Sequence, residues 1–208
     1  MRKDTFFKNS FFLTASNITT GILGFIFSMY LGNIAGPEGL AVYGLVMPVY
    51  NLFICLMTAG IIAAISQRSA IYESTEEYNN LFKTINTVAF FNIIWSIIIG
   101  ILVFFLAPYI SKYGIKDPRT LNAIRVTCPA MVFIALSNIL KGFFYGTSRI
   151  TVPAIIDISE KAMRIITITL LIFIFKAQTL SSIVTLAFVS LAIGELQSLL
   201  LLYAYFKY

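Results

Sequence analysis

Six apolar stretches, each long enough to cross a bilayer, leave little of this sequence for anything else: residues 10–31, 40–66, 84–106, 121–146, 152–175 and 180–206. A hydrocarbon core of about 30 Å takes about 20 predominantly apolar residues in a helix. Inside lipid the backbone must satisfy its own hydrogen bonds, which makes helices the solution for segments of this length. Of the 208 residues, 59% are hydrophobic and only 12% charged, against about 25% charged in ordinary soluble domains. Mean hydropathy is +0.88. The expected fold class is an all-α membrane protein of six transmembrane helices covering residues 1–208. The connections are short, the longest being residues 67–83, so consecutive helices are expected to be antiparallel neighbours in one bundle.

The leader "MRKDTFFK" has the basic character of a signal peptide, but the apolar segment after it is long and five more follow, so an uncleaved first helix is expected. Basic residues collect on the cytoplasmic side of short loops. With the N-terminus inside, that side holds Arg2, Lys3, Lys8, Arg68, Lys83, Lys141, Arg149 and Lys207. The other side holds Lys112, Lys116, Arg119 and Lys176, with Arg125 just inside the fourth span. The bias predicts a multi-pass protein of the cytoplasmic membrane with both ends of the segment in the cytoplasm. The net charge of +6 then reflects topology and anionic lipid rather than nucleic acid.

The chain has no His, which excludes His-dependent triads, HExxH zinc sites and imidazole proton relays. A GxxxxGK[ST] phosphate loop is also absent from the sequence. Cys55 and Cys128 both lie within spans without metal-type spacing, and are expected as small buried hydrophobes. No metal, cofactor or catalytic residue is expected, and the chain is read as a non-enzyme.

Polar residues inside the spans are the candidates for function. In the first span Ser10, Thr14, Asn17, Gly21, Gly24 and Ser28 recur at steps of four and three. Such a stripe is expected to turn away from lipid, either as a close helix contact or as the wall of a polar cavity, with Asn17 as a lining residue. Pro48, near Asn51, predicts a kink in the second span, and Pro129 predicts one in the fourth, which also carries Asn138 and Lys141. "STEE" places Ser74 and Glu77 at capping-box spacing ahead of the third span.

The strongest polar signal is "DISEKAMR", residues 157–164, four charges followed at once by an apolar run. At about 100° per residue, Asp157, Glu160, Lys161 and Arg164 fall within an arc of about 100°. Asp157 with Lys161, and Glu160 with Arg164, are (i, i+4) pairs in the favourable order. Insertion costs about 2.5 to 3.5 kcal/mol for a charge at a helix centre, while a Leu or Ile returns about 0.3 to 0.6 kcal/mol. The apolar half of the helix cannot offset four charges in lipid, so the stripe must face protein or water. A salt-bridge ladder joining helices and the lining of a transport cavity are both open readings. Glu195, in the sixth span, is expected at the depth of Arg164. It is read as that residue's partner or as a site for H+ or Na+ coupling.

The stretch "ALSNILKGFFYGTSRITVPAIIDISEKAMRI", residues 135–165, resembles the stage V sporulation protein B family and its polysaccharide-exporter relatives, at Lys141, Gly142, Phe143, Phe144, Gly146, Pro153, Glu160 and Arg164. Residues 31–67 are similar to that family's first loop and second helix, at Gly36, Glu38, Gly39, Tyr43, Pro48, Tyr50 and Gly60. The sequence departs from the pattern in having Lys141 where Arg is frequent. Its first two spans also lack the basic residues of the lipid II flippase branch. The resemblance implies the six-helix N-terminal lobe of a MATE-like flippase, its C-terminal lobe absent from this chain and supplied by the rest of the protein or by a second copy. It also implies the export, by alternating access, of a lipid-linked oligosaccharide or a cell-wall or spore-envelope precursor. Asp157, Glu160, Lys161, Arg164, Lys141, Asn17 and Asn138 would line the substrate path, and Glu195 would couple an ion. The alternatives are a proton- or cation-coupled multidrug antiporter and a non-transporting membrane scaffold for envelope assembly.

Overall fold

The computed structural model describes residues 3–207, with side chains for Phe7 and residues 9–207. Arg2 and the side chains of Lys3 and Lys8, part of the orientation argument, lie outside the described residues. The elements are α1 (Lys3–Thr58), α2 (Ile61–Ser74), α3 (Tyr78–Tyr109), α4 (Leu121–Gly146), α5 (Thr151–Phe175) and α6 (Leu180–Lys207). A π-helical turn, Ile110–Ile115, and a 3-10 turn, Pro118–Thr120, join α3 to α4.

Among the described residues, four helical stretches are long and apolar enough to cross a membrane: Asn9–Ser74, Tyr78–Ile115, Pro118–Gly146 and Leu180–Lys207. The first, at 66 residues, would be about 100 Å long if straight, three times a hydrocarbon core. It is not straight. Gly36 has φ 72° and ψ 179°, a conformation essentially reserved for glycine. Pro37 denies the helical conformation to the residue before it and starts the next helical limb. The chain doubles back here: the Phe27 and Tyr43 rings are 5.9 Å apart, where a straight helix would separate these positions by about 24 Å. A second break comes at Gly60, φ 77°, inside the span expected to run through residues 40–66.

Several local expectations are corrected. The departures from helical backbone are made by glycines at positive φ: within α1 the non-helical dihedrals are at Gly36, while Pro48 keeps helical ones. Ser74 ends α2, and its Oγ donates to the Ile71 carbonyl at 2.7 Å. It therefore bonds back into the helix it leaves, to a carbonyl that also accepts from the Thr75 N–H, instead of capping α3, whose flanking Glu77 makes no side-chain cap. Cys128 is buried as expected, but Cys55 is exposed. In the small-residue stripe Ser10, Thr14, Asn17 and Gly21 are exposed, and a side chain added at Gly21 or Gly24 would touch nothing. The packed face of this limb is set instead by Ser16, Phe27 and Leu31, with Ser16 Oγ donating to the Ala154 carbonyl of α5 at 3.0 Å.

The outer surface is apolar: Phe90, Phe91, Ile98 and Phe105 of α3 and Phe173 of α5 are all more than half exposed. Contiguous apolar surface of this kind is untenable in water and ordinary in lipid. The interior is organised around α4, which contacts α1, α2, α3 and α6. Close approach to α2 depends on two glycines. A Cβ at Gly146 would lie 2.4 Å from the Ser66 carbonyl oxygen, and one at Gly142 would lie 2.9 Å from Ile65 Cβ.

Buried apolar residues form two cores. One includes Phe27, Leu31, Val103, Met131, Ile168 and Phe188; the other includes Ile65, Leu81, Ile139, Phe144, Ile156 and Leu202. Each inner helix places buried polar residues where one core gives way to the other. On α5, Glu160 and Arg164 fall between Ile156 and Ile168; on α6, Glu195 and Ser198 fall between Leu191 and Leu202; on α4, Ser137 and Asn138 fall between Ala135 and Ile139.

Candidate functional site

This polar layer is built from four helices. The stripe on α5 lies along one face, as its spacing predicts, and that face turns inward: Glu160 is 4% and Arg164 7% exposed. The expected (i, i+4) ladder is not what forms. Asp157 Oδ1 is 2.7 Å from Lys141 Nζ on α4, and Lys161 Nζ is 2.6 Å from Glu160 Oε2, its neighbour in sequence. Among the described residues Arg164 takes no carboxylate. Its guanidinium lies 4.3 Å from the centroid of the Phe27 ring and donates to Tyr43 Oη. A delocalised planar cation can be held by aromatic faces, so Arg164 is carried by the first helical hairpin instead of by a turn of its own helix. Tyr43 is itself stacked on Phe188 of α6, ring centroids 5.0 Å apart.

Glu195 is buried, 6% exposed, and lies within electrostatic range of Glu160, Lys161, Lys141 and Arg164. Among the described residues it forms no ion pair with Arg164, so the expected pairing is not made. Gly194, beside it, lets Glu160 lie against α6: a Cβ there would be 3.1 Å from Glu160 Oε1. Asn138 is buried on α4, one turn before Lys141. Asn17 is exposed.

The group balances three carboxylates, Asp157, Glu160 and Glu195, against three cations, Lys141, Lys161 and Arg164. Balance makes burial tolerable, since a lone charge in low dielectric costs several kcal/mol. Satisfaction is incomplete, however. Glu160 Oε1, Arg164 Nε and Tyr50 Oη are buried without a hydrogen-bond partner. One edge is open, the Asp157 and Lys161 side chains being 29% and 32% exposed. The layer therefore holds donors and acceptors in reserve beside partly exposed charges, an arrangement suited to exchanging partners with a polar ligand or a proton. No cluster of three or more His, Cys, Asp or Glu able to hold a metal occurs among the described residues.

Reasoning from the stripe alone missed Phe27 and the contact of Gln197 Nε2 with Ser159 Oγ at 3.0 Å. Tyr43 and Tyr50 stood out only as points of family resemblance, although a spacing of seven puts them on one helix face.

A family model described as "Polysaccharide biosynthesis protein" matches residues 6–208. The chain belongs to the polysaccharide biosynthesis protein family. It is 28% identical over 208 residues to stage V sporulation protein B of Bacillus subtilis (strain 168), covering 100% of this chain and 40% of that protein. It is 23% identical over 212 residues to the lipid II flippase MurJ of the same organism, covering 96% of this chain and 39% of that protein. The chain thus spans about 40% of the length of these curated relatives. No solved structure matches it. This family member is a multi-pass membrane protein with its buried charges in the interior of the helical bundle.

Proposed function

We propose that the chain forms one six-helix, MATE-like lobe of a flippase that moves a polyprenyl-linked oligosaccharide or cell-wall precursor across the cytoplasmic membrane by alternating access. Family membership and the flippase relative support the class of transport. The observation that carries the reading is the balanced charge layer between two apolar cores, because intramembrane ionisable groups mark pathways for polar cargo and ions. In this reading the two limbs of α1 cross the membrane separately, both ends of the segment are cytoplasmic, and a second lobe or second copy completes the path.

The open edge is where cargo would meet the layer. Lys161 and Lys141 would meet phosphate or sugar hydroxyls there, Asp157 being the partner that yields Lys141. Arg164, deeper and held by Phe27 and Tyr43, would anchor the layer and offer its unpartnered Nε when the helices shift. Glu160 and Glu195 would carry the coupling to H+ or Na+. The lipid tail of the cargo would stay in the bilayer.

The test is translocation of a fluorescent polyprenyl-linked saccharide by the full protein in liposomes. Lys161→Gln should slow translocation at least tenfold, and Glu195→Gln should remove its response to a proton or sodium gradient. Unchanged transport in both variants would overturn the reading. Gradient-dependent export of small organic cations, with no movement of the lipid-linked substrate, would favour the antiporter instead.

A further inference from the structure

Away from the charge layer, two cavities adjoin on the surface formed by α3, α4 and α6. The first, about 350 Å³, is an apolar groove walled by Ile93 and Ala89 of α3, Leu136 and Leu140 of α4, and Leu200 and Tyr203 of α6. The second, about 220 Å³, is polar, and Arg149, Lys207, Glu73 and Tyr78 are in its wall. Phe206 lines both, with its ring 5.4 Å from that of Phe82 and 5.0 Å from that of Phe143. On α3 the wall runs unbroken from one cavity to the other: Tyr78 and Phe82 in the polar one, Ile85, Ala89 and Ile93 in the apolar one, a single helix face. The polar end coincides with the start of α3 and the ends of α4 and α6, and so with one surface of the membrane.

The dimensions suit one kind of molecule. From Tyr78 to Ile93 is 15 residues, about 22 Å along the helix, and one leaflet including its headgroups is about 20 to 22 Å deep. Arg149 and Lys207 outnumber Glu73 in the polar cavity. Glu73 Oε2 is buried without a hydrogen-bond partner, an acceptor awaiting an O–H or N–H donor. Basic pockets between transmembrane helices are a general means of holding anionic lipid headgroups.

The geometry points to a site for one anionic phospholipid with a hydroxyl-bearing headgroup: an acyl chain lies in the groove, Arg149 and Lys207 take the phosphate, and Glu73 accepts from the headgroup hydroxyl. This site is separate from the charge layer and does not depend on the cargo that the layer serves.

Native mass spectrometry of the full protein, with phosphatidylglycerol and phosphatidylcholine of identical chains in competition, tests it. The wild type should retain one phosphatidylglycerol with at least fivefold preference. The double variant Arg149→Ala, Lys207→Ala should lose that preference, while Lys83→Ala, which removes a cation at the same end outside this cavity, should keep it. Leu200→Trp, at a position 59% exposed and therefore safe for folding, should fill the groove and lower retention of both lipids. Equal preference in the double variant and the wild type would overturn the site. Displacement of phosphatidylglycerol by equimolar polyprenyl phosphate would also overturn it, by giving the groove to the cargo. Absence of translocation by the wild type, with lipid retention intact, would count against the flippase reading alone.

Discussion

Arg164 is the residue on which the interior turns, because it is the one cation of the layer held by rings rather than by a carboxylate. Tyr43 gives it both an acceptor and an aromatic face, so the two contributions can be separated. Tyr43→Phe keeps the ring and removes the acceptor; a hydrogen bond to a charged group contributes about 1.5 to 3 kcal/mol, and a fall in thermal midpoint corresponding to that range is expected in detergent. Tyr43→Leu should cost more, since the stacking on Phe188 goes as well. Equal midpoints for wild type and Tyr43→Phe would show that the hydroxyl contributes nothing. The α5 stripe was legible in the sequence because four charges at helical spacing define a face without reference to the rest of the fold. Their partners were not legible, because which ring or lysine meets that face depends on how distant helices pack. Phe27 is one apolar residue among many, and Gly194 acquires meaning only once Glu160 is known to lie against it.

At the scale of elements, glycines decide where helices turn and how closely they meet. Gly36→Ala places a side chain at φ 72°, and strain of about 1 to 3 kcal/mol should appear as a lowered midpoint and a weakened α1 reversal. Gly146→Ala must separate α4 from α2, at about 1 to 3 kcal/mol; a variant as stable as wild type would mean that the two helices slide apart freely. The reversal at residues 36–37 could be anticipated from Gly-Pro between two apolar runs. The break at Gly60 could not, because a lone glycine in an apolar run signals nothing until its φ is known, and Pro48 was the more conspicuous residue. The connection between α3 and α4 adds a clasp. Arg119 binds Asp117 at 2.9 Å and Glu38, at the α1 reversal, at 3.2 Å, while Ser181 Oγ of α6 donates to the Arg119 carbonyl at 3.3 Å. The Arg119 hydrogen bonds hold the Asp117 carboxyl below its ordinary 3.8. A depressed carboxylate stabilises the fold above that ordinary value and ceases to do so as pH falls through the folded one. Proteolysis of the α3–α4 connection should therefore rise below about pH 4 in the wild type and be raised already at neutral pH in Asp117→Asn; a pH-independent wild type would contradict the clasp.

For the whole molecule, composition was decisive about class and silent about interior organisation. Apolar runs of membrane length imply helices in lipid whatever the cargo, and the family resemblance supplied the transport class. That the charges occupy a layer between two apolar cores follows from how α1, α4, α5 and α6 meet, which no single run of residues encodes. The layer is also what ties the fold to its proposed work, since charges facing lipid could serve neither packing nor transport. The Lys141–Asp157 contact joins α4 to α5 within that layer and can be reversed in sign. Thermal midpoints of Lys141→Asp, Asp157→Lys and the double exchange test the arrangement most directly. Each single variant should be destabilised by an unpaired charge in the interior, and the exchange should recover most of the loss, with a coupling of about 1 to 3 kcal/mol. Losses that merely add in the double variant would mean that these two charges do not meet between the helices.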